Sequence, residues 1–255
     1  MVIDFHSHIL PYIDDGAKSF DMSLEMLRIS NDDDVKCICA TPHYIVGEYE
    51  VNKNAYDEKI NGLKYLCEKN NIGTNIVSGL EIYINPDLAR LYEEGKIWGI
   101  NDSRYLLIEL PMEQFPLYTE EVFYELRLKG ATPIIAHPER NIKIMKNPSL
   151  LENLIEQGAL AQLNAGSLKG LYGKEVKVFA EELVERNMIH IIGSDAHNSS
   201  SRKPIISSSL KLVNSLNSEV YTWIQDNEHK ILNGEDVDIL PIRKKKKFSL
   251  FNIFK

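Results

Sequence analysis

Residues 1–19, MVIDFHSHILPYIDDGAKS, set two histidines one residue apart directly behind a short apolar run. His6 and His8 are followed by Asp14 and Asp15. Alone, this pattern says little, because two histidines can flank a turn without doing chemistry. Its meaning depends on what stands behind the other apolar runs of the chain.

Seven such runs recur, at 2–5, 36–40, 75–80, 105–110, 133–136, 160–163 and 190–193. They are short and rich in Ile, Val and Leu, and apolar on consecutive positions, as parallel strands covered on both faces are. Helical patterns separate them at 20–30, 51–69, 86–94, 118–129, 148–156 and 175–187, with two more at 207–216 and 220–233. NPDLARLYEEG carries Pro86 in a first helical turn and Gly95 at the exit, and KNPSLLENLIEQG repeats the device with Pro148 and Gly158. Beyond this strand–helix rhythm there is no internal repeat and no low-complexity linker.

The opening motif now acquires company. His6 and His8 end the first strand, His43 in ATPHY follows the second, and Glu81 in SGLEIY follows the third. Glu109 in LIELP closes the fourth, His137 in IIAHPER the fifth, and Asp195 and His197 in IIGSDAHN the seventh. In closed β/α barrels the C-terminal strand ends converge on one mouth, where active sites sit. Any one of these residues could be a cap or a hydrogen-bonded core histidine. Jointly they predict a metal centre, since carboxylates directly behind apolar strands are costly to bury unless paired or metal-bound. His190 and His229 lack this placement and read as structural or exposed.

With Asp15 the candidate ligands are His6, His8, Asp15, His43, Glu81, Glu109, His137, Asp195 and His197. One ion takes about three or four protein ligands, so two or three ions fit this set better, with one carboxylate bridging. Nitrogen and oxygen donors without thiolate leave manganese, iron or zinc, and so many imidazoles disfavour magnesium. Such a cluster prepares hydroxide from water and neutralises phosphoryl charge, although the same metals also serve carbonyl hydrolysis. Arg140 and Arg202, three residues after His137 and five after His197, tip the reading to phosphoryl transfer, because guanidinium groups take phosphate oxygens two at a time. No GxxxxGK[ST] loop or glycine-rich dinucleotide turn is present. Cys37, Cys39 and Cys67 lie in no C-x5-R loop, so an activated water is the expected nucleophile.

At 255 residues the chain is long enough for one substantial α/β core. Its net charge of −8 argues against nucleic-acid backbone binding. The odd cysteine count argues against a disulfide scaffold. No secretory leader or membrane-length apolar run is evident, and the expected location is cytoplasmic. SNDDDVKC, before the second strand, reads as a solvated acidic loop, and Phe115 is a candidate for lining an aromatic-substrate mouth, whereas Tyr118 and Phe123 read as packing residues. Residues 1–235 form the expected catalytic unit and 236–255 a basic, aromatic tail, in which Lys244 to Lys247 precede Phe248, Leu250, Phe251, Ile253 and Phe254. This tail could touch an anionic membrane, dock on its own barrel, join a neighbouring subunit or fray.

In order, HSHILPYIDDGAKS, ATPHY, GLEIY, LIELP, AHPERN, LNAGSLKGLYGK and GSDAHN resemble the polymerase-and-histidinol-phosphatase (PHP) superfamily. More narrowly, they resemble the manganese-dependent protein-tyrosine phosphatases of bacterial capsule and exopolysaccharide loci, over nearly the whole chain. The resemblance implies a distorted TIM-like (β/α)7 barrel and a three-ion manganese cluster. His6, His8, Glu81 and Asp195 would hold one ion, and Glu81 would bridge to a second held by Glu109 and His137. Asp15, His43 and His197 would hold the third, with Asp14 a neighbour, and Arg140 and Arg202 would bind the phosphoryl group. The implied substrate is phosphotyrosine on a protein, the tyrosine-rich tail of an autokinase, attacked in line by a metal-bound hydroxide. The alternatives are a small-metabolite phosphomonoesterase of histidinol-phosphatase type and a non-catalytic kinase-binding scaffold.

Overall fold

A computed structural model describes residues 2–244. Among them the strands are β1 (Ile3–Ser7), β2 (Cys37–Ala40), β3 (His43–Tyr44), β4 (Asn75–Ser78), β5 (Glu81–Tyr83), β6 (Tyr105–Glu109), β7 (Thr132–Ala136), β8 (Leu160–Asn164) and β9 (Ile191–Gly193). Every strand pair is parallel, in two sheets of order β1-β2-β4 and β3-β5-β6-β7-β8-β9. Strands β1, β2, β6 and β8 are buried at every position, and in β2 and β6 this leaves apolar residues consecutive rather than alternating.

The second and third apolar runs each break into two pieces. Between β2 and β3 stands Pro42, which has no N–H to give a ladder. Between β4 and β5 stands Gly79, where a Cβ would lie 2.9 Å from Thr41 Cγ2. Across these breaks each strand leaves one sheet and joins the other, so the two sheets form one curled parallel surface. Beyond β9, Ser7 bridges Ala196, His8 N–H donates to the Ala196 carbonyl over 2.8 Å, and Asp195 N–H donates to the His6 carbonyl over 2.8 Å. The result is an α/β fold in which first and last strands lie side by side.

The helices are α1 (Phe20–Asp32), α2 (Lys53–Lys69), α3 (Leu88–Glu93), α4 (Thr119–Leu128), α5 (Ile142–Lys146), α6 (Ser149–Glu156), α7 (Ala165–Leu168), α8 (Lys174–Glu185), α9 (Ser207–Leu216) and α10 (Ser218–Leu232). Ser19, Asn52, Asn141 and Asn217 cap four of them through side-chain oxygens. The short helices α5 and α7 follow βα loops too brief for a clear periodicity. Met26 and Leu27, Leu63, Leu126, Leu154 and Leu183 of the helices are buried in one hydrophobic core with the strand residues Ile38, Leu106, Ile134 and Ile192.

The acidic run before β2 is not simply solvated. Asp33 Oδ2 accepts N–H bonds from Ile206 and Ser207 over 2.7 and 2.8 Å, and its Oδ1 takes the Ser207 hydroxyl. It caps α9 from a distance in sequence of more than 170 residues. The three cysteines are free and buried. Residues 236–243 run back over the fold: Val237, Ile239, Leu240 and Ile242 pack against the core, and the Trp223 indole donates to the Asp238 carbonyl over 2.7 Å. The rest of the tail, residues 245–255, for which membrane contact was one expectation, lies outside the described residues. No helix among the described residues is long and apolar enough to cross a membrane.

Candidate metal centre

All nine candidate ligands come together: His43 and Glu81 open β3 and β5, just past the ends of β2 and β4, and the others stand at or beyond the C-terminal ends of β1, β6, β7 and β9. Seven of them, with Met112, Arg140 and Arg202, line a cavity of about 160 Å³. The other two, His6 and His8, are fully buried beside it. Three groups have ligand atoms within 4.8 Å of one another: His8, Asp15, His43 and His197; His6, His8 and Glu81; and His43, Glu81 and Glu109. His137 and Asp195 fall outside these groupings but touch them. His137 Nε2 is 2.8 Å from Glu81 Oε1, and Asp195 Oδ1 is 3.5 Å from His8 Nε2. Glu81 is the hub, its Oε2 lying 3.1 Å from each of His6 Nε2, His8 Nε2 and His43 Nδ1.

Partners behind the histidines set their tautomers. His8 Nδ1 lies 2.7 Å from Asp14 Oδ2, and a carboxylate can only accept, so Nδ1 carries a proton and Nε2 is the atom turned to the cluster. Asp14 also accepts the N–H groups of Gly16 and His43, which ties the D-D-G turn to two strand ends. For His6 the arrangement runs through amides. The Asp195 carboxylate accepts from Asn164 Nδ2 over 2.7 Å, which turns Asn164 Oδ1 toward Gln162 Nε2 at 2.9 Å. Gln162 Oε1 is thereby left to accept from His6 Nδ1 over 2.9 Å. His197 Nδ1 donates to the Asp195 carbonyl over 3.0 Å, leaving its Nε2 toward Asp15 at 3.3 Å.

The expectation of six site-forming strands out of seven overlooked this sixth strand, β8. Gln162 and Asn164 carry no charge and match no ligand pattern. The signal was their alternation in LAQLNAG, which puts two amides on one face of an otherwise apolar strand.

A family model for capsular polysaccharide synthesis, CpsB/CapC, matches residues 2–233. The chain belongs to the CpsB/CapC family. This CpsB/CapC chain is 38% identical to tyrosine-protein phosphatase YwqE of Bacillus subtilis over 254 residues, 99% of this chain and 100% of that protein. It is 30% identical to tyrosine-protein phosphatase CpsB of Streptococcus pneumoniae over 217 residues, 83% of this chain and 89% of that one. A crystal structure from work on YwqE and CpsB, described as metal-dependent tyrosine phosphatases, matches with a TM-score of 0.91 at 38% identity, covering 96% of this chain and 100% of the other. Histidinol phosphate phosphatase from Lactococcus lactis shares the fold at a TM-score of 0.57 and 16% identity, over 86% of this chain and 93% of its own.

The donor set of this CpsB/CapC member fits divalent cations. His6 and His8 bring their Nε2 atoms 3.2 Å apart, and both face the same Glu81 oxygen. Burial works against charge on both rings, yet Glu81 and Asp195 raise His6 and Asp14 and Glu81 raise His8, so the carboxylates draw positive charge to this point, as protons or as a cation. His43 Nδ1 is buried with no hydrogen-bond partner beside that oxygen. Burial, and then the neighbouring Glu81 and Asp195 carboxylates, push Glu109 up to about 9. Burial also opposes the charge on Glu81, yet His6 and His43 hold it well below the usual carboxylate range. Carboxylates so crowded are the arrangement a cation relieves.

Two candidate ligands sit on left-handed backbone, His137 at φ 31° and Asp195 at φ 52°. Strain of this kind persists only where surrounding contacts over-determine it. Two glycines make room. A Cβ on Gly16 would meet the His8 carbonyl at 2.3 Å, and one on Gly193 would meet His6 Cβ at 2.4 Å.

Arg140 and Arg202 converge on Asp195, one on each carboxylate oxygen, at 2.8 and 2.6 Å. Arg140 lies 4.3 Å over the Tyr172 ring, whose hydroxyl is buried without a partner. Phe115 and Tyr118 are half-buried against the core and Phe123 is fully enclosed, and the cavity wall on this side is Met112 instead. His190 is buried away from the centre and His229 is exposed.

Proposed function

We propose that this CpsB/CapC chain is a metal-dependent protein-tyrosine phosphatase that hydrolyses phosphotyrosine on a protein, a bacterial tyrosine autokinase tied to capsule or exopolysaccharide synthesis. The convergence of three His/Asp/Glu groupings on Glu81, at a mouth rimmed by two arginines, carries this reading. The names of YwqE and CpsB agree with it. The bridge between Ser7 and Ala196 supports closure of the sheet into a distorted (β/α)7 barrel over residues 1–235.

We assign His6, His8, Asp15, His43, Glu81, Glu109, His137, Asp195 and His197 as ligands of a three-ion cluster, with Glu81 as the bridge. Five imidazoles and four carboxylates without thiolate favour manganese, with iron or zinc as substitutes. The bound ions supply a nucleophile from water at neutral pH and neutralise developing phosphoryl charge.

The chain's own residues do the rest. Asp14 and Gln162 hold His8 and His6 with their Nε2 lone pairs inward. Asp195 grips Arg140 and Arg202 before substrate arrives, so their free N–H groups meet the phosphoryl oxygens without a further ordering cost. A phenol, with a pKa of about 10, departs more readily than an alkyl alcohol, so the leaving group needs little protonation.

The test is phosphate release by manganese-reconstituted protein from a phosphotyrosyl peptide, a phosphoseryl peptide and histidinol phosphate. Preference for the phosphotyrosyl peptide is expected. Preference for the small ester would move the assignment to a metabolite phosphatase, and no release from any substrate would favour a kinase-binding scaffold.

A further inference from the structure

Beside the metal cavity lies a second one of about 300 Å³, and Arg202 belongs to the walls of both. Lys169, from the turn after α7, and Lys203 stand exposed at its edge, with Ser200 and Ser201 between them and no Asp or Glu in its lining. Among the described residues neither lysine forms an ion pair. In a chain of net charge −8, two unpaired ammonium groups flanking a catalytic-rim arginine form a local reversal of charge.

The loop that leads into Lys203 is held in place. Asn198 Oδ1 accepts the N–H groups of Ser200, Ser201 and Arg202 at 2.9, 2.8 and 3.1 Å. The Arg202 carbonyl in turn accepts from His197 and Asn198 N–H at 3.0 and 3.2 Å. The amides of Ser200, Ser201 and Arg202 are therefore consumed within the loop, and the side chains of Lys169 and Lys203, beside Arg202, are left to meet a ligand.

We propose that this second cavity is a substrate subsite for an anionic oxygen-bearing group, a carboxylate or a second phosphate, close in sequence to the scissile phosphotyrosine. This rests on the tyrosine-phosphatase reading and goes beyond it, since it assigns Lys169 and Lys203 as specificity residues. The reacting phosphate lies against Arg140 and Arg202 in the first cavity, while the flanking anion lies between the lysines in the second. Both contacts are solvent-exposed ion pairs, so the selectivity is modest and falls with salt.

The experiment uses full-length, manganese-loaded protein and three peptides that differ only beside the phosphotyrosine, carrying glutamate, phosphoserine or glutamine there. Release rates are compared within each protein, for wild type, Lys169→Gln/Lys203→Gln and Lys169→Glu/Lys203→Glu. Fluorescence anisotropy with the same peptides carrying a non-hydrolysable phosphonate in place of the scissile phosphate measures binding without turnover. Wild type is expected to favour the anionic flanks by about tenfold at low salt, the scale of two exposed ion pairs. The preference should vanish in the glutamine variant and invert in the glutamate variant. A larger gain with phosphoserine than with glutamate assigns the subsite to phosphate, and equal gains to either anion. Equal rates and equal binding for all three peptides in wild type, or a preference untouched by either double variant, overturns the subsite. Absence of release from every peptide together with intact anisotropy preferences overturns the phosphatase reading and leaves the subsite standing.

Discussion

Gln162 Oε1 accepts the Nδ1 proton of His6 over 2.9 Å, so a neutral amide on one strand decides which nitrogen of a candidate ligand on another faces the His/Asp/Glu cluster. Outer partners of this kind typically change metal affinity by about 10–100-fold when removed. Gln162→Leu should weaken manganese binding on that scale while the protein stays folded by circular dichroism. A titration isotherm identical to wild type would remove Gln162 from the centre.

Arg140 is held between the Asp195 carboxylate and the Tyr172 ring. Arg140→Ala should lower phosphotyrosyl turnover by roughly 10²–10³, the usual effect of losing a preorganised donor to developing charge, with metal content measured by mass spectrometry unchanged. Tyr172 acts through Arg140 by its ring face, since its hydroxyl has no partner. Tyr172→Phe should keep kcat near wild type, and Tyr172→Ala should lower it. Equal loss in both variants would mean that the hydroxyl, rather than the stack, matters.

Gly193 ends β9 against His6, where an added Cβ would also come within 2.9 Å of Gln162 Nε2. Neither neighbour is the free end of a flexible exposed chain, so the backbone must yield. Gly193→Ala should lose about 1–3 kcal/mol in urea unfolding, typical of overpacking in a filled core. A stability equal to wild type would show that the strand end relaxes.

His190 gives a pH dependence separate from the centre. Its Nδ1 accepts the Ala161 N–H over 3.0 Å, its ring meets Trp223 edge-on, and burial drives it down to about 3 from the ordinary 6.5. The unfolded chain therefore binds a proton below pH 6.5 that the folded chain refuses until about pH 3. Stability is full above 6.5 and falls through that window, at up to about 1.4 kcal/mol per pH unit for one proton. Unfolding curves with chelator present throughout should show this slope, and His190→Gln should flatten it by one proton. Parallel slopes in the two proteins would exclude His190 as the source.

The ligand constellation was legible because burying charge is expensive. Only a shared centre explains His43, Glu81, Glu109 and His137 standing behind apolar strands. Strand positions were legible because parallel strands buried on both faces leave uninterrupted apolar runs. The amides of β8 were not legible, since Gln and Asn are equally at home on surfaces and show their role only through partners. The breaks at Pro42 and Gly79 were hidden for a related reason. Local sequence marks a weak point in a strand, but which sheet the far piece joins is decided by strands distant in sequence. Asp33 likewise looked solvated until the start of α9 arrived beside it.

The contact of β1 with the segment around Ala196 has a consequence for biosynthesis. His6 and His8 emerge from the ribosome first, and Asp195 and His197 follow nearly 190 residues later. For most of translation the nascent chain holds only fragments of the centre, none with a full ligand shell. On the ligand assignment proposed above, the cage can close only once the segment around Ala196 has been made and has docked beside β1.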